Sequence, residues 1–253
     1  MKYNMDWLIN QYENGIPLKF IYFWGNTPKS DGIVDKSCFS QWFEAPFIVA
    51  GITYKTSEHW MMAHKALLFG DKDLFERIIL SDKPGAAKEL GRQVTGYSDD
   101  VWNANKYNIV KLGNIHKFNQ NPLLADYLLK TKESILTEAS PVDTVWGIGL
   151  AKDNANINNI YLWRGENLLG FVLMETRDFL SEFGLFETTG LELLTPWNRF
   201  PDVEPHDMFW RMGKGEDVLH QFMLGYEKLS DRDKTIYRIS NPKPYNWPEF
   251  YDD

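Results

Sequence analysis

The sequence predicts a mainly α-helical fold of the α+β class, a multihelical core with a few short β-strands. Three observations predict it. Segments rich in helix formers and bounded by capping residues fill most of the stretch from Ser57 to Thr131. Another such segment runs from Asn167 to Leu180. Strand-like runs are few and short, with no sustained period-two alternation.

The first segment, Met1 to Tyr12, carries apolar residues at Met5, Leu8 and Ile9, a weak helical pattern. Ile21-Tyr22-Phe23-Trp24 reads as a strand, Gly25 to Lys36 as a polar surface loop, and Pro46 to Tyr54 as strand, turn, strand around Gly51. Ser57 opens the strongest helix. It is a good N-cap residue, and Glu58 lies in the first turn, where the helix dipole favours an anion. The body, HWMMAHKALLF, ends at Gly70. Further helices cover Lys72 to Leu80, Pro84 through GAAKELGR, Asp99 to Lys111, and Pro122 to Thr131. Ile135 to Ala139 is a strand candidate and Pro141 to Leu150 an irregular, glycine-bearing loop.

After Leu180 the character changes. Ser181 to Asp207 reads as a connector, and Phe209 to Leu229 as helical in its later part. The tail, NPKPYNWPEFYDD, is Pro-rich and aromatic, a composition often found in extended segments that wrap over a groove, so the last stretch is either a subdomain or a long C-terminal embrace. The expected organisation is a core domain over residues 1–180 and a C-terminal extension over 181–253 that packs on it.

Composition narrows the function classes. The 253 residues can bury a sizeable core without disulfides. Cys38 is the single cysteine, so no intramolecular disulfide and no Cys-based zinc site can form, and the expected location is a reducing cytoplasm. The N-terminus lacks the apolar stretch of a signal peptide, and no apolar run reaches membrane-spanning length. The net charge of −8, with no long Lys/Arg run, argues against extended duplex DNA as a partner; it admits a pocket for one modified nucleotide. Ten Trp serve either a thick core or stacking surfaces for flat ligands. His59, His64 and His116 lack a metal-binding spacing with nearby carboxylates, so no metal and no cofactor are expected.

Three stretches could carry chemistry. Glu58 and Lys65 are seven residues apart on one predicted helix, hence within about 20° of one face and about 10 Å apart along the axis. Met61 and Met62 lie between them as a polarizable floor. The two charges either sit solvated on an outer face or bracket a ligand. Trp60, Met61, Met62, Ala63 and Ala66 make the helix apolar nearly all round, which argues for burial. Asp143 begins the second stretch, ASPVDTVWGIGL. There Gly147 and Gly149 either make an anion nest or a structural turn, and Trp146 either stacks on a base or packs the loop down. The third runs from Gly113 to Asn121, where Asn114 and Lys117 either face a diphosphate or a base edge, or belong to a polar helix end and loop. Arg92, in LGRQV, is a phosphate clamp or a surface ion pair.

Five stretches in order, SEHWMMAHKALLF, KELGRQV, GNIHKFNQNPLL, EASPVDTVWGIGL and WRGENLLGFVLMETRDFL, resemble the successive motifs of the NADAR (NAD and ADP-ribose) family. The resemblance runs from about Phe23 to Leu180. One departure is Phe39-Ser40-Gln41-Trp42, where the family often has a Ser-Asn-Phe-like element. The resemblance implies a mainly helical fold and N-glycosidase activity. It places the active-site region at Glu58 and Lys65 in the helix and Asp143 with Trp146 in the loop, with Glu58, Lys65 and Asp143 as the expected catalytic residues. Trp24, Met62, Arg92, Asn114, Lys117, Gly147 and Gly149 complete the expected substrate-binding set with Trp146. Two substrate types go with it. One is ADP-ribose joined to the guanine amino group, in a nucleotide or single-stranded nucleic acid; a cognate ADP-ribosyltransferase toxin is the partner this reading brings. The other is a phosphoribosylamino-pyrimidine intermediate of riboflavin biosynthesis. A non-catalytic reader of NAD-derived nucleotides would use the same aromatic and glycine-loop groups.

In both substrates ribose C1′ is bound to an exocyclic nitrogen, and cleavage builds positive charge on the sugar. Glu58 and Asp143 can stabilise that charge, activate water or protonate the leaving nitrogen. Lys65 offers another route, capture of C1′ as a Schiff base after the ring opens, which needs a partly deprotonated amine.

Overall fold

The protein is described here as a computed structural model, covering residues 1–30, 32–187 and 193–251. In chain order the elements are α1 (Met5–Glu13), β1 (Phe20–Phe23), β2 (Phe47–Val49), β3 (Ile52–Tyr54), α2 (Ser57–Leu68), α3 (Lys72–Leu80), α4 (Pro84–Gly91), α5 (Asp99–Gln120), α6 (Pro122–Leu129), β4 (Ile135–Glu138), α7 (Leu168–Phe183), α8 (Pro196–Arg199), α9 (Gly213–Glu227) and α10 (Asp231–Ser240). Helix dominates and the strands are short, as the sequence predicts. β1 and β4 pair in parallel, Phe20 with Ile135 through Phe23 with Glu138. β2 and β3 form a separate two-stranded sheet around Ala50 and Gly51, both at positive φ.

The chain divides into two compact units, one formed by Met1–Ile48 with Ile52–Leu185 and the other by Val49–Gly51 with Phe186–Asp253. In the first, α5 is the central helix and packs against both α2 and α7, while α7 also covers β4. The core between them is aromatic and aliphatic: Phe23, Phe39, Trp60, Phe118, Leu136 and Phe171 are all buried.

Three local differences from the sequence expectation have physical causes. The N-cap of α2 is Thr56, whose extended backbone (φ −146°) lets its hydroxyl accept from the His59 N–H; Ser57 is already inside the helix. The helix beginning at Asp99 does not stop near Lys111 but continues through GNIHKFNQ to Gln120. Gly113, which looks like a terminator, is where α5 meets α2: a Cβ there would lie 2.3 Å from Trp60 Cδ1, so only glycine permits the approach. Asn167, read as helical, instead takes the left-handed conformation (φ 54°, ψ 32°) just before α7. Its buried amide compensates for that backbone, donating to Leu136 O at 3.0 Å and accepting from Glu138 N at 3.0 Å.

The second unit has its own aromatic core. Phe222, Tyr226, Tyr237 and Tyr251 cluster together, and Trp210, Val218 and Trp247 form another group. The tail is therefore not an extended strap. It folds back in turns, with Trp247 N donating to Pro244 O at 2.9 Å, and Trp247 and Tyr251 become core residues of this unit. Among the described residues no helix is long and apolar enough to cross a membrane.

Candidate active site

Parallel pairing of β1 and β4 brings the ends of both strands side by side, so Trp24, just past β1, and Glu138, the last residue of β4, emerge at one edge. There a cavity of about 530 Å³ opens, within the usual range of small-molecule sites. Every residue that lines it belongs to the first unit. α2 contributes Glu58, Met61, Met62 and Lys65; α4 and its end contribute Lys88, Gly91 and Arg92; the loop after β4 contributes Ser140, Val142, Asp143 and Trp146.

Three carboxylates line the cavity. Glu58 is held in the first turn of α2, where its backbone N donates to Gln41 O at 3.0 Å. Its side chain is only 2% exposed, and Oε1 has no hydrogen-bond partner. Burial pushes the carboxyl up to about 7; Lys88 and a hydrogen bond from Trp42 oppose the rise, and Asp143 adds to it. Glu138 is fixed from both sides of its peptide unit, by Asn167 Oδ1 on its N–H and by Ile148 N, at 2.9 Å, on its carbonyl. Its Oε2 is buried without a partner. Burial, then the Asp143 and Glu58 charges, push this carboxyl up to about 8. Asp143 is oriented differently. Its Oδ1 accepts from Val145 N at 2.9 Å and Trp146 N at 2.7 Å, an Asx-type turn that fixes the loop over the cavity.

Cations line the same cavity, and Lys88 acts on both Glu58 and Glu138. Lys65 Nζ donates to Gly91 O at 2.9 Å and lies 4.3 Å from the Tyr97 ring centre and 5.6 Å from that of Trp102. Burial lowers its pKa, against the raising effect of Asp99. Lys88 Nζ sits 5.9 Å from the Trp42 ring centre. Arg92 is exposed and paired with Glu89 at 2.8 Å. Trp24, Trp42, Trp102 and Trp146 also line the cavity. Trp24 is 61% and Trp42 37% exposed, indole faces that the protein's own core does not consume.

Of the residues singled out in the sequence, Glu58, Lys65, Asp143, Trp24, Met62, Arg92 and Trp146 meet at this one cavity. Four do not line it. Lys117 is fully buried, donating to Cys38 O at 2.7 Å and Ser40 O at 2.9 Å, and its charge serves the backbone of that turn rather than a ligand. Asn114 is buried behind the wall, where its Nδ2 donates to Val110 O at 2.8 Å and to Gln41 Oε1 at 3.0 Å. Gly147 makes no nest: a Cβ there would lie 2.9 Å from Glu138 O, so its smallness lets the loop close on β4. Gly149 is buried at φ +67°, a turn position.

Sequence reasoning missed Glu138, Trp42, Lys88 and Trp102, which all line the cavity. For Glu138 one signal existed, a carboxylate closing an otherwise apolar strand directly before the glycine-bearing loop. At the family departure, Ser40, Gln41 and Trp42 all line the cavity, and Gln41 Nε2 is buried without a partner. Among the described residues no group of three or more His, Cys, Asp or Glu could hold a metal ion.

Comparison with known proteins places this geometry. N-glycosidase R617 of Acanthamoeba polyphaga mimivirus is 41% identical over 165 residues, 63% of this chain and 95% of that protein. N-glycosidase YbiA of Escherichia coli (strain K12) is 32% identical over 152 residues, 60% of this chain and 84% of YbiA. The NMR structure of E. coli YbiA matches with a TM-score of 0.53 and 28% identity, over 67% of this chain and 89% of that one. Residues 22–181 match the model of the NADAR domain, the same stretch in which the five sequence motifs occur, and the chain belongs to the NADAR domain family.

Proposed function

We propose that this N-glycosidase hydrolyses the bond between ribose C1′ and the exocyclic amino nitrogen of guanine, releasing ADP-ribose from a nucleotide or a short single strand. The observation that carries this reading is a single cavity lined by Glu58, Glu138 and Asp143 together with Lys65, Lys88, Arg92 and four tryptophans. Cleavage of the bond leaves positive charge on the sugar, and a cluster of carboxylates below the ring stabilises it. Glu58 and Asp143 serve that charge and activate water. A substrate with two purines and a diphosphate matches several indole faces and several cations. A phosphoribosylamino-pyrimidine has the same linkage but one small base and one phosphate, and leaves most of those faces unused.

The diphosphate contacts are fewer than the sequence suggested, because Asn114, Lys117, Gly147 and Gly149 lie outside the cavity; Lys65, Lys88 and Arg92 remain. The net charge of −8 supports a preference for nucleotides and short single strands over duplex. The test is incubation with both substrate types, product identification by mass spectrometry, and comparison of kcat/KM. The expected result is higher kcat/KM on ADP-ribosyl-guanine, with inhibition by free ADP-ribose. Clearly higher kcat/KM on the pyrimidine compound, or no inhibition by ADP-ribose, overturns the substrate assignment.

A further inference from the structure

We propose that Glu138 is the catalytic acid, the group that protonates the leaving nitrogen as its bond to ribose C1′ breaks. This deepens the N-glycosidase reading and rests on it. Three observations carry the inference. First, Glu138 lines the same cavity as Glu58 and Asp143, although the three come from β4, α2 and the loop after β4. Second, its backbone is pinned at the N–H by Asn167 Oδ1 and at the carbonyl by Ile148 N, so the carboxyl is presented from a rigid strand end. Third, Oε2 is buried with no partner. An ionised carboxylate in that position is strongly disfavoured, and a neutral carboxyl has an O–H that finds no acceptor within the protein. The leaving nitrogen of a bound substrate is the acceptor the site lacks.

The proton is in place for that role. Burial and the charges of Asp143 and Glu58 push Glu138 up to about 8, so it holds its proton near neutral pH. The C1′–N bond breaks with its electron pair going to nitrogen, and the Glu138 proton joins that pair to give the neutral amine. Water adds its oxygen to C1′, and its proton passes to the ionised Glu58. One proton exchanged through solvent from Glu58 to Glu138 restores both groups. Glu138 also serves the lysine route, because the amine must leave protonated there too.

Two measurements test this independently. In the first, kcat/KM on ADP-ribosyl-guanine is measured against pH for the wild type, Glu138→Gln and Glu138→Asp, with thermal melting to confirm folding. The expected loss in Glu138→Gln is about 10²- to 10⁴-fold in kcat, the range of general acid catalysis, with KM little changed and the alkaline limb of the profile abolished. Glu138→Asp restores the limb and part of the rate. A folded Glu138→Gln protein that keeps its rate, or loses rate but keeps the alkaline limb, overturns the assignment. The second needs no turnover. With ¹³C-labelled glutamate carboxyls, the wild type is expected to show a protonated carboxyl signal at pH 7 that disappears in Glu138→Gln. If Glu138 is already ionised at pH 6, it cannot be the acid. Wild-type inactivity on both substrate types with a protonated Glu138 would instead count against the substrate reading alone.

Discussion

The carboxylates and the cations of the cavity hold charge in different ways. Glu58 is buried and Glu138 half-buried, each with one buried carboxyl oxygen that has no partner, and their proton affinities rise toward neutrality. Arg92 stands in solvent in a salt bridge, and Lys65 already has a carbonyl and two aromatic rings. Unsatisfied buried groups are tuned for proton transfer, whereas a solvated, ion-paired group such as Arg92 offers charge without changing it. Under the proposed function, bond breaking falls to the carboxylates and anion recognition to the cations. Perturbed proton affinity alone does not mark a catalytic group. Lys117 is pushed down to about 8 by burial, yet its ammonium donates to two backbone carbonyls and lines no part of the cavity.

Predictions follow from this division, the largest effect first. Glu58→Gln replaces a carboxyl by a neutral amide of the same shape, so it is expected to fold and to lose at least about 10²-fold in kcat. Full turnover in a folded Glu58→Gln protein removes Glu58 from the mechanism. Lys65 lines the cavity beside the Tyr97 and Trp102 rings, and Lys65→Arg separates its duties as charge and as nucleophile. If Lys65 only supplies charge, Lys65→Arg is expected to keep kcat within about tenfold, and borohydride added during turnover traps no adduct. A trapped sugar adduct on Lys65, with no turnover in Lys65→Arg, moves this residue from recognition to covalent catalysis.

Arg92→Ala, on the exposed rim, is expected to raise KM by about tenfold while kcat stays within about twofold, the pattern of binding energy shared by ground and transition states. A fall in kcat with unchanged KM moves Arg92 from recognition to catalysis. The next effect is on stability. Glu58 and Glu138 have folded-state values of about 7 and about 8, above the ordinary 4.5. The folded chain therefore holds more protons than the unfolded chain above that ordinary value, and the stability due to the neutral carboxyls is lost as pH rises through their folded values. The double variant Glu58→Gln, Glu138→Gln cannot ionise there. Its Tm is expected to match the wild type near pH 4 and to exceed it by on the order of a few degrees near pH 9. A pH-independent difference in Tm contradicts the buried, neutral carboxyls. The smallest effect on catalysis is expected from Lys117→Met. It leaves two carbonyls without their donor, so stability falls by about 1–3 kcal/mol, while KM for a phosphate-bearing substrate is unchanged. A raised KM returns Lys117 to the ligand side.

What was legible in the sequence was local. The capped helix carrying Glu58 and Lys65, the strand closing at Glu138, the glycine-bearing loop after it and the ordered family motifs all depend on neighbours within a few turns of chain. Helix formers, caps and turn residues report such features directly. The expected end of α5 near Lys111 was wrong because Gly113 and the polar run after it lower helix propensity, and only packing against Trp60 outweighs that loss. The same limit hid Glu138. Its fate depends on Glu58, some eighty positions earlier in the chain, and on Asn167 after it, both brought close by the parallel pairing of β1 with β4 and the docking of α7. Lys117, in a polar run, looks as open to a ligand in the sequence as Lys65 does, yet Lys65 lines the cavity and Lys117 supports the turn at Cys38 and Ser40. The sequence by itself determined which segments are helices and which residue types are available for acid–base chemistry, because those follow from local backbone preference and composition. The tertiary structure alone decided which of those residues are desolvated together, because burial and like-charge proximity are properties of segments distant in the chain and exist only once the helices have packed.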